Sequence, residues 1–229
     1  MNRIFIIVIL SFIYASPNNT PIAIPAGDIG DNHYRKPNIP GTEAQWLGLY
    51  VNEDTSWIES AKVIIVDAGT PDFEIYHIVS TSADARILLT DVDGIKPGPA
   101  ITVKQSVTLW QDNPEIEFDL DGNNYTIRLA WSQPDLCDAR VSLHRDKQTQ
   151  TLFEVENSSD PQYPGQKFGC DEPHFRIHWV GDIDGDGKLD LLATFSGKYS
   201  YFPRQLFLSS AAEPDELVRS SSLYERFAM

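Results

Sequence analysis

The most chemically distinctive part of the chain is an acidic segment, Gly181-Asp-Ile-Asp-Gly-Asp-Gly-Lys-Leu-Asp190. Its carboxylates occupy positions 1, 3, 5 and 9 when the count begins at Asp182. A hard divalent ion prefers about six to eight oxygen ligands at roughly 2.3 to 2.6 Å, and alternate residues of a tight turn direct their side chains to one centre. Crowded carboxylates also repel one another unless a cation lies between them. The pattern therefore predicts a cation site, and calcium fits it best.

Five residues are expected to supply ligands to this ion. They are the side chains of Asp182, Asp184, Asp186 and Asp190 and the main-chain carbonyl of Lys188. Gly187 at position 6 permits the sharp reversal of the chain. An EF-hand needs a bidentate glutamate at position 12, where this chain has Ala193, so the EF-hand is excluded. The alternative interpretation is a solvated Asp-Gly turn without an ion.

The residues on both sides of the acidic segment predict a strand, a loop and a second strand. His174 to Val180 alternates in polarity, and Leu191 to Phe195 is a strand-like run. The segment resembles the calcium loops of FG-GAP and VCBS-type repeats, whose Asp-x-Asp-x-Asp-Gly-x-x-Asp pattern matches Asp182 to Asp190. Those repeats build propellers from several copies, and this chain has one, so a propeller is not expected. Residues Trp179 to Leu208 also resemble part of exported bacterial proteins of uncharacterised function.

The rest of the chain is typical of an all-β protein. From Trp46 onward, short runs rich in β-branched and aromatic residues alternate with turn residues, and no long amphipathic helical pattern occurs. Two hairpins are predicted, one around Asp121-Gly122 and one around Asp146 to Thr149. We expect a single antiparallel domain over residues 44–229, built as a sandwich or as a barrel-like sheet. Paired small sheets remain an alternative.

The N-terminal residues predict export. Arg3, the apolar run from Ile4 to Tyr14 and the small residue Ala15 form the pattern of a signal peptide over residues 1–15. This run is shorter than the roughly 20 residues of a membrane span, and no second apolar run of that length follows. Residues 16–43 are rich in Pro, Gly, Asn and Asp and predict an extended segment outside the fold. The expected location is periplasmic or secreted, with a retained N-terminal anchor as the alternative.

The two cysteines, Cys137 and Cys170, are expected to form one disulfide in an exported chain. On the chain-entropy model, such a bridge contributes about 3 to 4 kcal/mol. Two free buried thiols are the alternative.

Other residues of interest have ordinary interpretations. His174 and His178 are expected to pack or to face solvent, because four residues of strand separate them too widely for one ion. Asp119-Leu-Asp121-Gly122 predicts a turn rather than a second cation loop. The five tryptophans are expected mainly in the core, with a carbohydrate-binding groove as the alternative.

The charge of the chain narrows the choice of partner. It has 33 acidic and 18 basic residues, a formal net charge of −15, and no basic stripe. Such a negative field disfavours nucleic acid, whereas a basic protein or a cation would be attracted. The oligomeric state is left open.

No sequence motif of a known catalytic class is present. The chain lacks Gly-x-Ser-x-Gly, His-Glu-x-x-His, a phosphate-binding glycine loop and a dinucleotide fingerprint. The leading hypothesis is therefore an exported calcium-binding β-protein that binds a macromolecular partner, for example a periplasmic inhibitor or immunity protein. A calcium-stabilised secreted hydrolase and a carbohydrate-binding module are the alternatives.

Overall fold

The computed structural model describes residues 21–25, 33–35, 43–53, 55–67, 75–80, 85–133, 138–155, 172–198 and 200–227. Within these ranges the chain forms sixteen β-strands and no helix. The strands are β1 (Ile22–Pro25), β2 (His33–Arg35), β3 (Trp46–Val51), β4 (Ser56–Ser60), β5 (Val63–Asp67), β6 (Ile75–Ser80), β7 (Ala85–Thr90), β8 (Gly98–Thr108), β9 (Glu115–Leu120), β10 (Asn123–Gln133), β11 (Asp138–Arg145), β12 (Gln148–Val155), β13 (His174–Asp182), β14 (Asp190–Ser196), β15 (Tyr201–Leu208) and β16 (Arg219–Phe227). A helix able to span a bilayer is not found in this part of the chain.

The strands form three antiparallel sheets. The largest has nine strands in the order β1-β7-β3-β4-β8-β13-β14-β15-β16, and β1 lies against β15 and β16, so this sheet nearly closes into a barrel. A four-stranded sheet has the order β12-β11-β10-β9, and a three-stranded sheet has the order β2-β6-β5. The predicted all-β antiparallel fold is confirmed, and it combines a barrel-like sheet with a second sheet packed on its side.

Two of the hydrophobic cores meet at β14. All seven of its residues are buried. Leu191, Ala193 and Phe195 pack against the four-stranded sheet, whereas Leu192 points into the barrel beside Trp179. Because successive side chains of a strand point to opposite faces, a strand buried on both faces is apolar throughout. This explains the three consecutive apolar residues, Leu191 to Ala193, after the acidic segment, and it places Asp190 at the beginning of a strand that is buried throughout.

Both predicted hairpins are confirmed. The β9–β10 turn is Asp121-Gly122 with φ angles of 50° and 76°, and the β11–β12 turn begins at Asp146 with φ 53°. Aspartate and glycine tolerate this left-handed conformation, which suits two-residue hairpins. The Asp119 carboxylate accepts a hydrogen bond from the Gly122 N–H at 3.4 Å, so this segment is a turn, as predicted.

The prediction that residues 16–43 lie outside the fold is wrong for two segments. His33–Arg35 forms β2 and pairs with β6, and Ile22–Pro25 forms β1, is fully buried and pairs with β7. Ala23 faces the barrel, and Ile22 and Ile24 face a third core. The run is too short to show a period, and both of its faces are covered, so the sequence contains no alternation to recognise. The predicted signal peptide, Cys137 and Cys170 lie outside the described residues, and the export and disulfide predictions stay predictions.

Candidate metal centre

Two paired strands position the acidic segment. β13 ends at Asp182 and β14 begins at Asp190, and their ladder pairs Gly181 with Asp190. Seven residues close the loop between them. Gly185 and Gly187 have φ angles of 81° and 77°, a conformation that costs little for glycine. The loop is therefore held at both ends by strands that are themselves buried.

Three carboxylates converge within this loop. Asp182, Asp184 and Asp190 each offer one oxygen, and these oxygens all lie within 4.8 Å of one another. Asp182 is 3% exposed and Asp190 is 0% exposed, while Asp184 is half-buried. Oxygens that ligate one ion at roughly 2.4 Å lie at most about 4.8 Å apart, so the spacing suits a shared cation. The three aspartates could therefore hold a metal ion, and their all-oxygen chemistry suits a hard one.

Backbone amides already organise the loop around these carboxylates. The Asp182 carboxylate accepts hydrogen bonds from the N–H groups of Gly185 at 2.7 Å and Gly187 at 2.9 Å. Asp190 Oδ2 accepts one from the Ile183 N–H at 2.9 Å. These bonds fix the side chains of the two buried aspartates, so little ordering remains to be done when an ion enters.

Ser209 and Ser210, which follow β15, complete the surroundings of the acidic loop. The Ser209 N–H donates to Asp190 Oδ1 at 2.8 Å, and the Ser209 hydroxyl oxygen lies 3.1 Å from the same carboxylate oxygen. The Ser210 hydroxyl donates to Asp184 Oδ2. The sequence did not predict these residues, because they lie 19 and 26 positions from their partners. The signal that could have found them is the β14–β15 register, which pairs Leu191 with Phe207.

Two of the five predicted ligands lie outside this triad. Both Asp186 oxygens lie 2.9 Å from the Ser209 hydroxyl, which shares its single proton between Asp186 and Asp190, and Asp186 Oδ1 accepts a hydrogen bond from the Lys188 N–H at 2.9 Å. The Lys188 ammonium lies 3.7 Å from Asp186 Oδ2 at the surface. The structure thus brings together Asp182, Asp184 and Asp190, and ligation by Asp186 and by the Lys188 carbonyl stays a prediction.

Burial and mutual repulsion change the acidity of the triad. Burial, together with the nearby charge of Asp184, raises the pKa of Asp190 to about 8, although the Ser209 and Ile183 N–H groups oppose the shift. Burial also raises the pKa of Asp184, with the charges of Asp186 and Asp182 adding to it. A bound cation would offset both effects, since it favours the ionised carboxylates.

The predicted packing roles of the two histidines fit the structure. His178 Nε2 lies 2.9 Å from Thr194 Oγ1 in a partly buried contact, and desolvation with the positive charge of Arg204 lowers the pKa of His178 to about 2. His174 packs its ring against Phe202 at 4.6 Å between centroids. Neither histidine belongs to the cluster of aspartates.

A serine and a histidine are paired on the other sheet. On β11, Ser142 Oγ lies 2.8 Å from His144 Nε2, and His144 Nδ1 lies 2.9 Å from Thr149 Oγ1 on β12. Ser142 is 8% exposed. The order of contacts is that of a nucleophile, a base and an orienting group. Thr149 is neutral, however, so it cannot stabilise an imidazolium as a carboxylate does.

The tryptophans divide between the core and the surface. Trp46 and Trp179 are buried, in agreement with the prediction, whereas Trp110 is 40% exposed. Trp110 contacts Trp131 edge to face, with an interplanar angle of 87°. Coplanar exposed rings would be expected of a carbohydrate-binding surface, and this pair does not form one.

Comparison of the chain with family models, with curated proteins and with solved structures finds no match. The resemblance to FG-GAP and VCBS-type loops therefore depends on the residues of the acidic segment alone.

Proposed function

We propose that this chain is an exported calcium-binding β-protein that acts by binding a macromolecular partner. The observation on which the proposal depends is the convergence of Asp182, Asp184 and Asp190, whose oxygens lie within 4.8 Å of one another. Two of these carboxylates are almost completely buried. Buried carboxylates need a compensating charge or a proton, and a divalent cation supplies the charge.

The donor set favours calcium among the hard cations. The cluster contains carboxylates and neither histidine nor cysteine, which argues for a hard ion over zinc or copper. Calcium accepts irregular coordination at roughly 2.3 to 2.6 Å, whereas magnesium demands an octahedron at about 2.0 to 2.1 Å and keeps several waters. A largely buried site on a loop with two left-handed glycines has little room for such waters, so it suits calcium better than magnesium.

The ion would have a structural role. It would join the end of β13, the start of β14 and, through Ser209 and Ser210, the segment after β15. At a free calcium concentration of one hundred times Kd, binding to the folded state alone adds about 2.7 kcal/mol to the free energy of unfolding.

A thermal-unfolding experiment tests the calcium proposal. Wild-type protein should unfold several degrees higher in calcium than in chelator, with a smaller shift in magnesium. Asp184→Asn should lose most of the calcium shift, because it removes one ligand charge. Asp112→Asn is the matched control, since Asp112 is exposed in the turn after β8, beyond the end of the β8–β13 ladder that lies opposite Asp182. Equal unfolding temperatures of the wild type in calcium and in chelator would refute the proposal.

The excess of acidic residues supports a basic protein as the partner. A chain of net charge −15 attracts basic surfaces over distances of about one Debye length, roughly 8 to 10 Å in physiological salt. The concrete form of the proposal is a periplasmic inhibitor or immunity protein that covers the active site of a basic enzyme. Affinity capture from periplasm, with and without calcium, tests it. Recovery of no stable protein partner in either condition would count against it.

A secreted hydrolase is the second candidate, favoured by the Ser142–His144 contact of 2.8 Å. In that function the imidazole would accept the hydroxyl proton as the serine attacks an acyl group. A fluorophosphonate probe should then label wild-type protein, and Ser142→Ala should abolish the label. An unlabelled wild type under conditions that label a known serine hydrolase would remove this candidate.

A further inference from the structure

Residues 209–218, between β15 and β16, touch two separate parts of the molecule, and we call them the bridging segment. Its first residues bind the acidic loop. The Ser209 N–H donates to Asp190, the Ser209 hydroxyl shares its proton between Asp190 and Asp186, and the Ser210 hydroxyl donates to Asp184. One end of the bridging segment therefore contacts two of the three clustered aspartates directly.

The other end of the bridging segment is bound to the four-stranded sheet by two side chains of β12, Gln148, whose Nε2 donates to the Asp215 carbonyl at 3.0 Å, and Gln150. The N–H groups of Leu217 and Val218 donate to Gln150 Oε1 at 2.7 and 3.0 Å. Gln150 Nε2 in turn donates to the Val218 carbonyl at 2.6 Å. Gln150 lies on β12, the edge strand of that sheet, and Leu217 and Val218 are buried in the core beneath it. All hydrogen-bonding capacity of the Gln150 carbonyl is used here.

Local hydrogen bonds make the bridging segment a defined structure between its two ends. The Ala212 N–H donates to the Ser209 carbonyl at 3.1 Å, and the Glu216 N–H donates to the Glu213 carbonyl at 2.9 Å. Arg219 donates to Glu213 and to Glu216, both at 2.7 Å. These ion pairs are exposed and contribute little energy. The backbone turns, in contrast, limit how far one end can move without the other.

We propose that ion binding at the aspartate cluster and docking of the bridging segment on β12 stabilise each other. This inference rests on the proposed ion binding. The serines hold Asp184, Asp186 and Asp190 in place when the bridging segment is docked, and loss of docking would release these carboxylates. Because such coupling is reciprocal, a bound ion must strengthen docking by the same factor by which docking strengthens ion binding. The ion thus regulates the order of the edge of the second sheet.

Hydrogen exchange of the wild-type full chain is the first test. Peptides that cover residues 209–218 should exchange more slowly in calcium than in chelator. At one hundred times Kd, amides that exchange only when the ion leaves should slow by up to about a hundredfold. Unchanged exchange of these peptides in a sample that binds calcium by titration calorimetry would overturn the coupling.

The Gln150→Leu variant tests the reciprocal effect. It removes three hydrogen bonds to the bridging segment, and Gln150 makes no described contact with the aspartates. It should weaken calcium binding by about fivefold or more. Thr151→Val is the matched control, because Thr151 is the next residue, is exposed and should leave calcium affinity unchanged. Circular dichroism checks that both variants fold.

The outcomes separate the coupling from the proposed function. Either result, wild-type calcium affinity in Gln150→Leu or unchanged exchange of the bridging segment in wild-type protein that binds calcium, overturns the coupling and leaves the ion site intact. A wild-type protein that shows no heat of calcium binding overturns the proposed function itself, and the coupling with it.

Discussion

Substitution of Asp190 by asparagine should separate its role as a hydrogen-bond acceptor from its role as an ion ligand. The carboxylate is fully buried and accepts hydrogen bonds from the N–H groups of Ile183 and Ser209, on different oxygens, and it shares the Ser209 hydroxyl proton with Asp186. Asparagine has a single carbonyl oxygen, so its amide group must face at least one of these donors. A buried donor left unsatisfied costs about 1 to 3 kcal/mol. In chelator near neutral pH, the raised pKa of Asp190, about 8, keeps this side chain mostly protonated, so asparagine removes little charge repulsion there.

The same variant should behave differently in calcium. Wild-type protein gains about 2.7 kcal/mol at one hundred times Kd, which for a chain of this size corresponds to about 5 to 11 °C. Asp190→Asn lacks one ligand charge and should lose most of this gain. The assay is thermal or urea unfolding of both proteins in calcium and in chelator. If Asp190→Asn keeps the full calcium shift, Asp190 is not a ligand and the assignment of the triad is wrong.

Three further predictions follow from the site and its surroundings. The pKa of Asp190 is raised to about 8, so calcium must displace a proton, and calcium affinity should increase by up to about tenfold per pH unit from pH 6 to pH 8. The ion-free protein should lose stability as pH rises from about 4 to about 8. Titration calorimetry would measure the affinity and urea unfolding the stability, and a flat affinity profile would contradict the prediction. Gly181→Ala should destabilise the protein by about 3 kcal/mol in urea unfolding, because the new Cβ would lie 1.8 Å from the Ile101 carbonyl oxygen on β8. If the variant has wild-type stability, β8 can move away from β13 at no cost and the prediction is wrong. His178 stays neutral in the folded protein but binds a proton near pH 6.5 in the unfolded chain, so the free energy of unfolding should fall by about 1.4 kcal/mol per pH unit below about pH 6. His178→Gln should reduce this slope in urea unfolding. An equal slope in both proteins would show that other groups cause it.

Features that depend on neighbouring residues could be predicted from the sequence. The Asp121-Gly122 hairpin and the Asp182 to Asp190 loop are both specified by residues within a few positions of one another. Left-handed turns need glycine or aspartate, and a carboxylate at alternate positions gives a recognisable spacing. The two-residue turns and the converging carboxylates of Asp182, Asp184 and Asp190 agree with these predictions.

Features that depend on contacts between distant residues could not be predicted. Ser209 and Ser210 reach the acidic loop only through the β14–β15 register, and serine pairs are common in loops without any such role. Ile22–Pro25 becomes a strand because β7 offers it a partner and two cores cover it. The order of nine strands in the barrel-like sheet likewise arises from pairings between residues far apart in the chain.

The position of β14 also determines how the molecule should lose its structure. Leu192 belongs to the barrel core, and Leu191, Ala193 and Phe195 belong to the core under the second sheet. Withdrawal of this strand would empty both cores at once, so neither sheet can melt while the other keeps its packing. Heating should therefore give one calorimetric peak with matching van't Hoff and calorimetric enthalpies, as for a single cooperative unit.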